Sequence, residues 1–393
     1  MRSASVYVHF PHCLEKCPYC DFVSYKTARE AIDHAGYADA VLRELDARAG
    51  AFEGRTVGSL FFGGGTPSLW DPRELGRVVH AVRGRLATAG DLEVTVECNP
   101  TSLDGDRAAA LADAGVDRLS IGVQSLRDPQ LRFLGRLHDA AGARRAVEQA
   151  LASPMPRVSA DLIFGLPEQT PEGAAQEAAE LAGLGLRHLS CYQLTIEPGT
   201  RFGELSRRGR LPRAEDGAVA EAFVAVEEEL GRRGLLHYEI SNYAEPGQEA
   251  RHNLGYWRGD EYLGLGCAAY GFVQTGRGAG LRWRNDISPE NYVQRTRTVR
   301  QGVPAADDGL STTCEPLDAE ALLRERIMLG LRVAGGLDLA AAGDELGIDP
   351  MTRERERTIA WLVERERVVH EGSRLRIPPR AWLFADDTAA RLF

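Results

Sequence analysis

The chain has 393 residues, 44% of them apolar, which suffices for one large domain and a smaller companion without covalent staples. Its 57 Asp and Glu outweigh 47 Lys and Arg, and the formal charge of -10 argues against duplex nucleic acid or an anionic membrane surface as the main partner. Seven cysteines, an odd number with no secretory apolar segment after Met1, fit a reducing cytoplasm, and no apolar run approaches the length of a membrane span.

In chain order, β-rich runs alternate with helix-patterned ones. SVYVHF (5–10) reads as the first strand, followed by a helix over 29–49. Strands at 57–62, 92–97, 118–123 and 158–164 then alternate with helices at 72–87, 104–114, 139–152 and 171–184, and a sixth strand covers 188–196. Six βα units of this kind predict an α/β fold, a partial (β/α)6 TIM-like barrel whose strand C-terminal ends share the functional face. A helix at 213–233 follows, and the alternation then weakens. From about residue 316 helical runs (EALLRERIMLGLR, MTRERERTIAWLVERER) precede VVHEGSRLRI, two short strands, which together read as a winged-helix-like domain for packing or docking. The expected division is therefore 1–235 for the core barrel, 236–315 for an extension and 316–393 for the C-terminal domain.

The chemistry concentrates at the strand ends. HFPHCLEKCPYCDF places Cys13, Cys17 and Cys20 in one loop, where three thiolates suit a zinc ion completed by His9 or His12, or a 4Fe-4S cluster with one open iron; a disulfide fits less well. GGGTPS follows the second strand, and Gly63, Gly64 and Gly65 let backbone groups approach a ligand closely, although such a run also serves as a bare turn. Glu97, Gln124, Arg136 and Asp161 are individually ordinary polar residues near strand ends, but on one rim they suit the ribose, amino and carboxylate groups of a nucleotide-like cofactor. His252 lies in HNLGYW, read as a loop, where it acts as an axial ligand of a flat macrocycle or as a structural cap. Cys98, Cys191, Cys267 and Cys314 share no spacing and read as small buried residues.

These motifs carry a family resemblance. YVHFPHCLEKCPYCDF resembles the CxxxCxxC signature of radical S-adenosylmethionine (SAM) enzymes, and FFGGGTPS is similar to their glycine motif. ECNP, RLSIGVQS, LGRLHD, DLIFGLPEQT, YQLTIEPGT, YEISNYA, RHNLGYW and RIMLGLRVAGGLDL resemble, in order, the branch that contains oxygen-independent coproporphyrinogen III oxidases and HemW-type heme chaperones. The resemblance implies a radical SAM barrel with a HemN-like C-terminal domain and a 4Fe-4S cluster on Cys13, Cys17 and Cys20 whose fourth iron takes SAM. Tyr7, Gly65, Thr66 and Glu97 match positions for that SAM, and Gln124, Arg136 and Asp161 match positions that hold a second SAM in the oxidases.

Within the branch, only twelve residues precede Cys13, and Asp21 follows Cys20 where the oxidases have a CGC ending. Both features favour the heme chaperones, as does HNLGYW, which resembles their HNxxYW heme-handling segment and points to His252. GLGCAAYG departs from the family by carrying Tyr270 where a GAHG-like run has His. The expected function is that of a cytoplasmic heme chaperone binding the cluster, SAM and heme and passing heme to acceptor hemoproteins. The alternatives are a coproporphyrinogen III oxidase and, more distantly, a zinc-binding scaffold.

Overall fold

The computed structural model describes residues 2–393. Six strands, β1 (Arg2–Phe10), β2 (Arg55–Gly64), β3 (Thr88–Cys98), β4 (Arg118–Gln124), β5 (Arg157–Phe164) and β6 (His188–Gln193), stand side by side in sequence order and all parallel. The helices α1 (His34–Arg48), α2 (Pro72–Arg85), α3 (Gly105–Asp113), α4 (Ala140–Ala152) and α5 (Pro171–Gly183) make the crossovers. The expected βα alternation is present, with the sixth strand ending at Gln193 and the first helix starting at His34. That start is set by Asp33, whose side chain accepts from Gly36 N, and Asp71, Asp104, Asp139 and Thr170 cap the next four helices in the same way.

Each strand has one apolar side and one polar side. Val6, Val8 and Phe10 of β1, Leu60 and Phe62 of β2, and Val94 and Val96 of β3 are buried toward the helices. Burial of each such side chain contributes about 1.5–3 kcal/mol. The alternate positions, including Tyr7, His9, Gly63, Glu97 and Asp161, face the inside of the curved sheet, because successive side chains point to opposite faces.

After α6 (Asp216–Arg232) the chain extends the same sheet at both edges. The hairpin β7 (Leu236–Glu239) and β8 (Asn242–Ala244) pairs antiparallel with β6. Beyond α7 (Arg251–Trp257) comes a seventh parallel strand that periodicity did not reveal, β9 (Glu261–Leu265), paired with the free edge of β1. Then β10 (Tyr270–Gly276), β11 (Ala279–Asn285), α8 (Pro289–Thr296) and β12 (Ser311–Leu317) follow, giving the open order β12-β11-β10-β9-β1-β2-β3-β4-β5-β6-β8-β7. Two expectations are corrected here. HNLGYW is the body of the short helix α7 rather than a loop, and Cys314 lies exposed on the edge strand β12, while Cys98, Cys191 and Cys267 are buried.

A buried polar network fastens this added edge to α1. Arg48 pairs with Glu44 and donates to Asp308 at 2.7 Å, Asn285 at 2.9 Å and Ser311 at 2.9 Å. Glu44 in turn accepts from Tyr292 Oη at 2.6 Å and Gly266 N at 2.8 Å. The C-terminal part has α9 (Ala319–Gly330), α10 (Leu339–Leu346) and α11 (Arg353–Glu364) with a small antiparallel sheet of β13 (Leu337–Asp338), β14 (Val369–Glu371) and β15 (Arg374–Arg376). This is the expected winged-helix-like set of elements, and it docks on β7 through Ile240 N to Arg332 O at 2.9 Å and Ala334 N to Tyr238 O at 3.0 Å. Among the described residues no helix is long and apolar enough to cross a membrane.

Candidate functional site

At the C-terminal ends of the strands, the loop after β1 and the turn after β2 form facing walls of a cleft of about 490 Å3. Cys13, Cys17 and Cys20 line one wall, and Gly64, Gly65 and Thr66 line another. Glu97, Gln124, Arg136 and Asp161 complete the lining from β3, β4, β5 and the segment after β4.

The glycines are required first by the protein itself. A Cβ at Gly65 would stand 2.7 Å from the His12 carbonyl oxygen and 2.8 Å from that of Phe10, so the turn and the cysteine loop are in backbone contact. Gly65 N donates to Phe10 O at 2.7 Å and Thr66 N to His12 O at 2.9 Å. Gly64 has φ +105°, and a Cβ there would lie 2.4 Å from the His9 ring.

The cysteines are not paired with one another as disulfides. Cys13 Sγ accepts from Thr66 Oγ1 and Cys17 Sγ from the Arg136 guanidinium, each at 3.4 Å. Burial raises the Cys13 thiol above its ordinary range and pushes Cys20 up to about 11. Thiols so placed ionise only with a cation at hand. Arg136 also donates to Gly122 O at 2.8 Å, and its buried Nε has no partner among the described residues. Three half-buried cysteines, a guanidinium beside them and an orphaned N–H fit an anionic thiolate-held cluster.

The histidines considered as a fourth ligand are turned to other tasks. His9 Nε2 is 2.8 Å from Val23 O, which requires a proton on Nε2 and leaves Nδ1 to accept from Tyr7 Oη at 3.0 Å. Burial holds His9 near a pKa of about 4, hence neutral. His12 Nδ1 bonds Thr27 Oγ1 at 2.9 Å. His9 opens the cysteine motif, where it reads as a candidate zinc ligand, and the period-2 alternation of β1 is the signal that puts it instead on the inner face beside Tyr7.

The carboxylates behave differently from surface acids. Glu97 accepts from Gly64 N at 3.1 Å, and burial, reinforced by Asp161, raises it to about 8. Asp161 is also raised by burial and accepts from Ser120 Oγ at 3.0 Å. Gln124 has φ +67° at a register shift between β4 and β5, a costly backbone state that re-aims the strand end at the cleft.

Tyr7, Gly63 and His252 do not line this cleft. They lie deeper on the same inner face, where a Cβ at Gly63 would meet the Tyr7 ring at 3.0 Å. His252, on α7, stacks on Phe61 with ring centroids 4.7 Å apart and lies 6.3 Å from Tyr7. Its Nδ1 is 3.1 Å from Ser59 Oγ and its backbone N donates to Glu93 Oε1 at 3.1 Å. Burial lowers His252 to about 4, so the imidazole is neutral. The structure thus gathers the three cysteines, the glycine turn and the polar rim, and sets His252 toward the base of the barrel.

Residues 7–181 match the model of the radical SAM superfamily, and residues 317–384 match that of the HemN C-terminal domain. Heme chaperone HemW of Escherichia coli is 41% identical over 304 residues, spanning 77% of this chain and 79% of its own length. Heme chaperone HemW of Mycobacterium tuberculosis is 34% identical over 382 residues, 97% of this chain and 92% of its own. The solved coproporphyrinogen III oxidase HemN of Escherichia coli, 21% identical, superposes with a TM-score of 0.80 over 100% of this chain and 90% of its own, which shows a shared fold. The chain belongs to the radical SAM superfamily, in the family of the HemW heme chaperones and the oxygen-independent coproporphyrinogen III oxidases.

Proposed function

We propose that this protein is a cytoplasmic heme chaperone that holds a 4Fe-4S cluster, SAM and heme and passes heme to acceptor hemoproteins. Carrying the reading is the match to heme chaperones over almost the whole chain, 34% identity across 97% of it. Cys13, Cys17 and Cys20 hold the cluster; bound there, it supplies an open iron for the methionine end of SAM. Arg136 offsets the negative charge of the thiolates. Gly64, Gly65 and Thr66 present backbone to the cofactor, and Glu97 takes its amino group, losing its proton as the cation arrives. Gln124 and Asp161 line the remaining rim of the cleft.

His252 contributes to heme binding in this reading. The tautomer that donates from Nδ1 to Ser59 leaves the Nε2 lone pair for iron, and its low pKa keeps that lone pair free at neutral pH. Titrating anaerobically reconstituted protein with hemin, then adding an apo-hemoprotein, tests the function. A Soret band that forms and then transfers is the expected result. Decarboxylation of coproporphyrinogen III without heme retention would replace the chaperone reading with the oxidase.

A further inference from the structure

The inner face of the sheet continues past β1. In register, Ser5 pairs with Tyr262, Tyr262 with Phe272 and Phe272 with Arg282, so these side chains share the face of Tyr7 and His9. Two residues along, the cross-strand partners Tyr270 and Arg284 stand on that same face, with Trp283 buried on the other. Here the surface is aromatic and open. Tyr270 is 47% exposed, Ile287 47% and Tyr25 38%, and Tyr25 Oη donates to Ile287 O at 2.9 Å, which joins the patch to the cysteine loop.

Arg284 sits in the middle of it. Its guanidinium carbon lies 5.2 Å from the Tyr270 ring centre, and its positive charge is felt by both His9 and Tyr25. The neighbouring Arg282 and Arg48 pair with carboxylates, whereas among the described residues Arg284 has no carboxylate partner and its buried Nε has no acceptor. A half-buried guanidinium laid on an aromatic ring, with an unanswered N–H and no anion, is built for a ligand that is flat, apolar and carboxylate-bearing.

We infer that Tyr25, Tyr270 and Ile287 bind the face of a planar porphyrin and that Arg284 receives one of its carboxylates. The inference rests on the heme-binding reading above and assigns it a surface that neither the cluster motif nor HNLGYW contains. Charge complementarity selects this occupant, since a purely apolar partner would leave Arg284 unpaired.

The test uses full-length reconstituted protein and two probes, hemin and hemin dimethyl ester, whose carboxylates are masked. Wild type is expected to bind the ester about ten-fold more weakly than hemin, the scale of one charge-assisted hydrogen bond. Arg284→Gln should weaken hemin by a similar factor and leave the ester unchanged, Arg284→Lys should restore part of the loss, and Tyr270→Ala should weaken both probes. Equal affinity of wild type and Arg284→Gln for hemin overturns the inference, leaves the chaperone reading standing and opens the patch to a protein partner. Equal weakening of both probes by Arg284→Gln also overturns it, since the residue would then act only through the fold. If wild type binds no hemin, the reading beneath the inference falls with it.

Discussion

Glu97 Oε2 accepts the backbone N–H of Gly64 at 3.1 Å, tying the end of the third strand to the glycine turn that faces the cysteines. The same carboxyl is held up to about 8, first by burial and then by Asp161. A group raised in the folded state binds more protons there than in the unfolded chain. Stability is therefore fully kept below the ordinary value of 4.5 and falls as pH climbs toward about 8. Glu97→Gln should flatten that slope, which urea unfolding of the cofactor-free protein at a series of pH values will measure. A slope identical to wild type would show that Glu97 ionises freely.

SAM binding should release a proton through the same group. A cation in the cleft favours the carboxylate, so between about pH 5 and 8 calorimetric heats should depend on the ionisation enthalpy of the buffer. Glu97→Gln should abolish much of that dependence and weaken SAM by about ten-fold, the loss of one charge-assisted contact.

Cys17→Ser should lose most of its iron and sulfide, because the remaining cysteine of the cleft, Cys98, is buried on β3 with its thiol donating to Val96 O, outside the loop that carries Cys13 and Cys20. Arg136→Gln should retain the cluster but destabilise it, with faster loss of absorbance in air. Stoichiometric zinc in anaerobically purified wild type would overturn the cluster assignment.

Gly64→Ala should cost about 1–3 kcal/mol before any cofactor is added, since φ +105° disfavours a side chain and its Cβ would strike the His9 ring. Thermal unfolding of cofactor-free protein reads this directly. Unchanged stability together with lost SAM affinity would place the role of Gly64 wholly at the ligand.

Arg48→Met should destabilise the chain by about 3–5 kcal/mol, because it leaves Glu44 and Asp308 buried without their cation. Adding Glu44→Gln to Arg48→Met should recover part of the loss, as measured by denaturant midpoint.

The six βα units were legible because each strand and helix is long enough for its period to show and because Asp33, Asp71, Asp104, Asp139 and Thr170 mark the helix starts. The cysteine trio and glycine turn were legible as local spacing, which does not depend on the rest of the fold. The strand β9 was not, since its five residues contain Gly264, a glycine demanded by the crossing of Tyr270 O, where a Cβ would stand 1.8 Å away. Nothing local records such a contact.

The same limit applies to the inner face. That Asp161 adds to burial in raising Glu97, that His9 is a neutral acceptor for Tyr7, and that Arg284 lies over Tyr270 with no carboxylate partner among the described residues are relations fixed by the packing of the strands. Residue type and spacing therefore determined which chemistry the chain carries, the three thiols and the glycine turn. Only the closing of parallel strands around a common interior decided which side chains meet and which are desolvated. It also decided that His252 stands at the base of the barrel instead of beside the cysteines, because burial and charge coupling depend on distance through space.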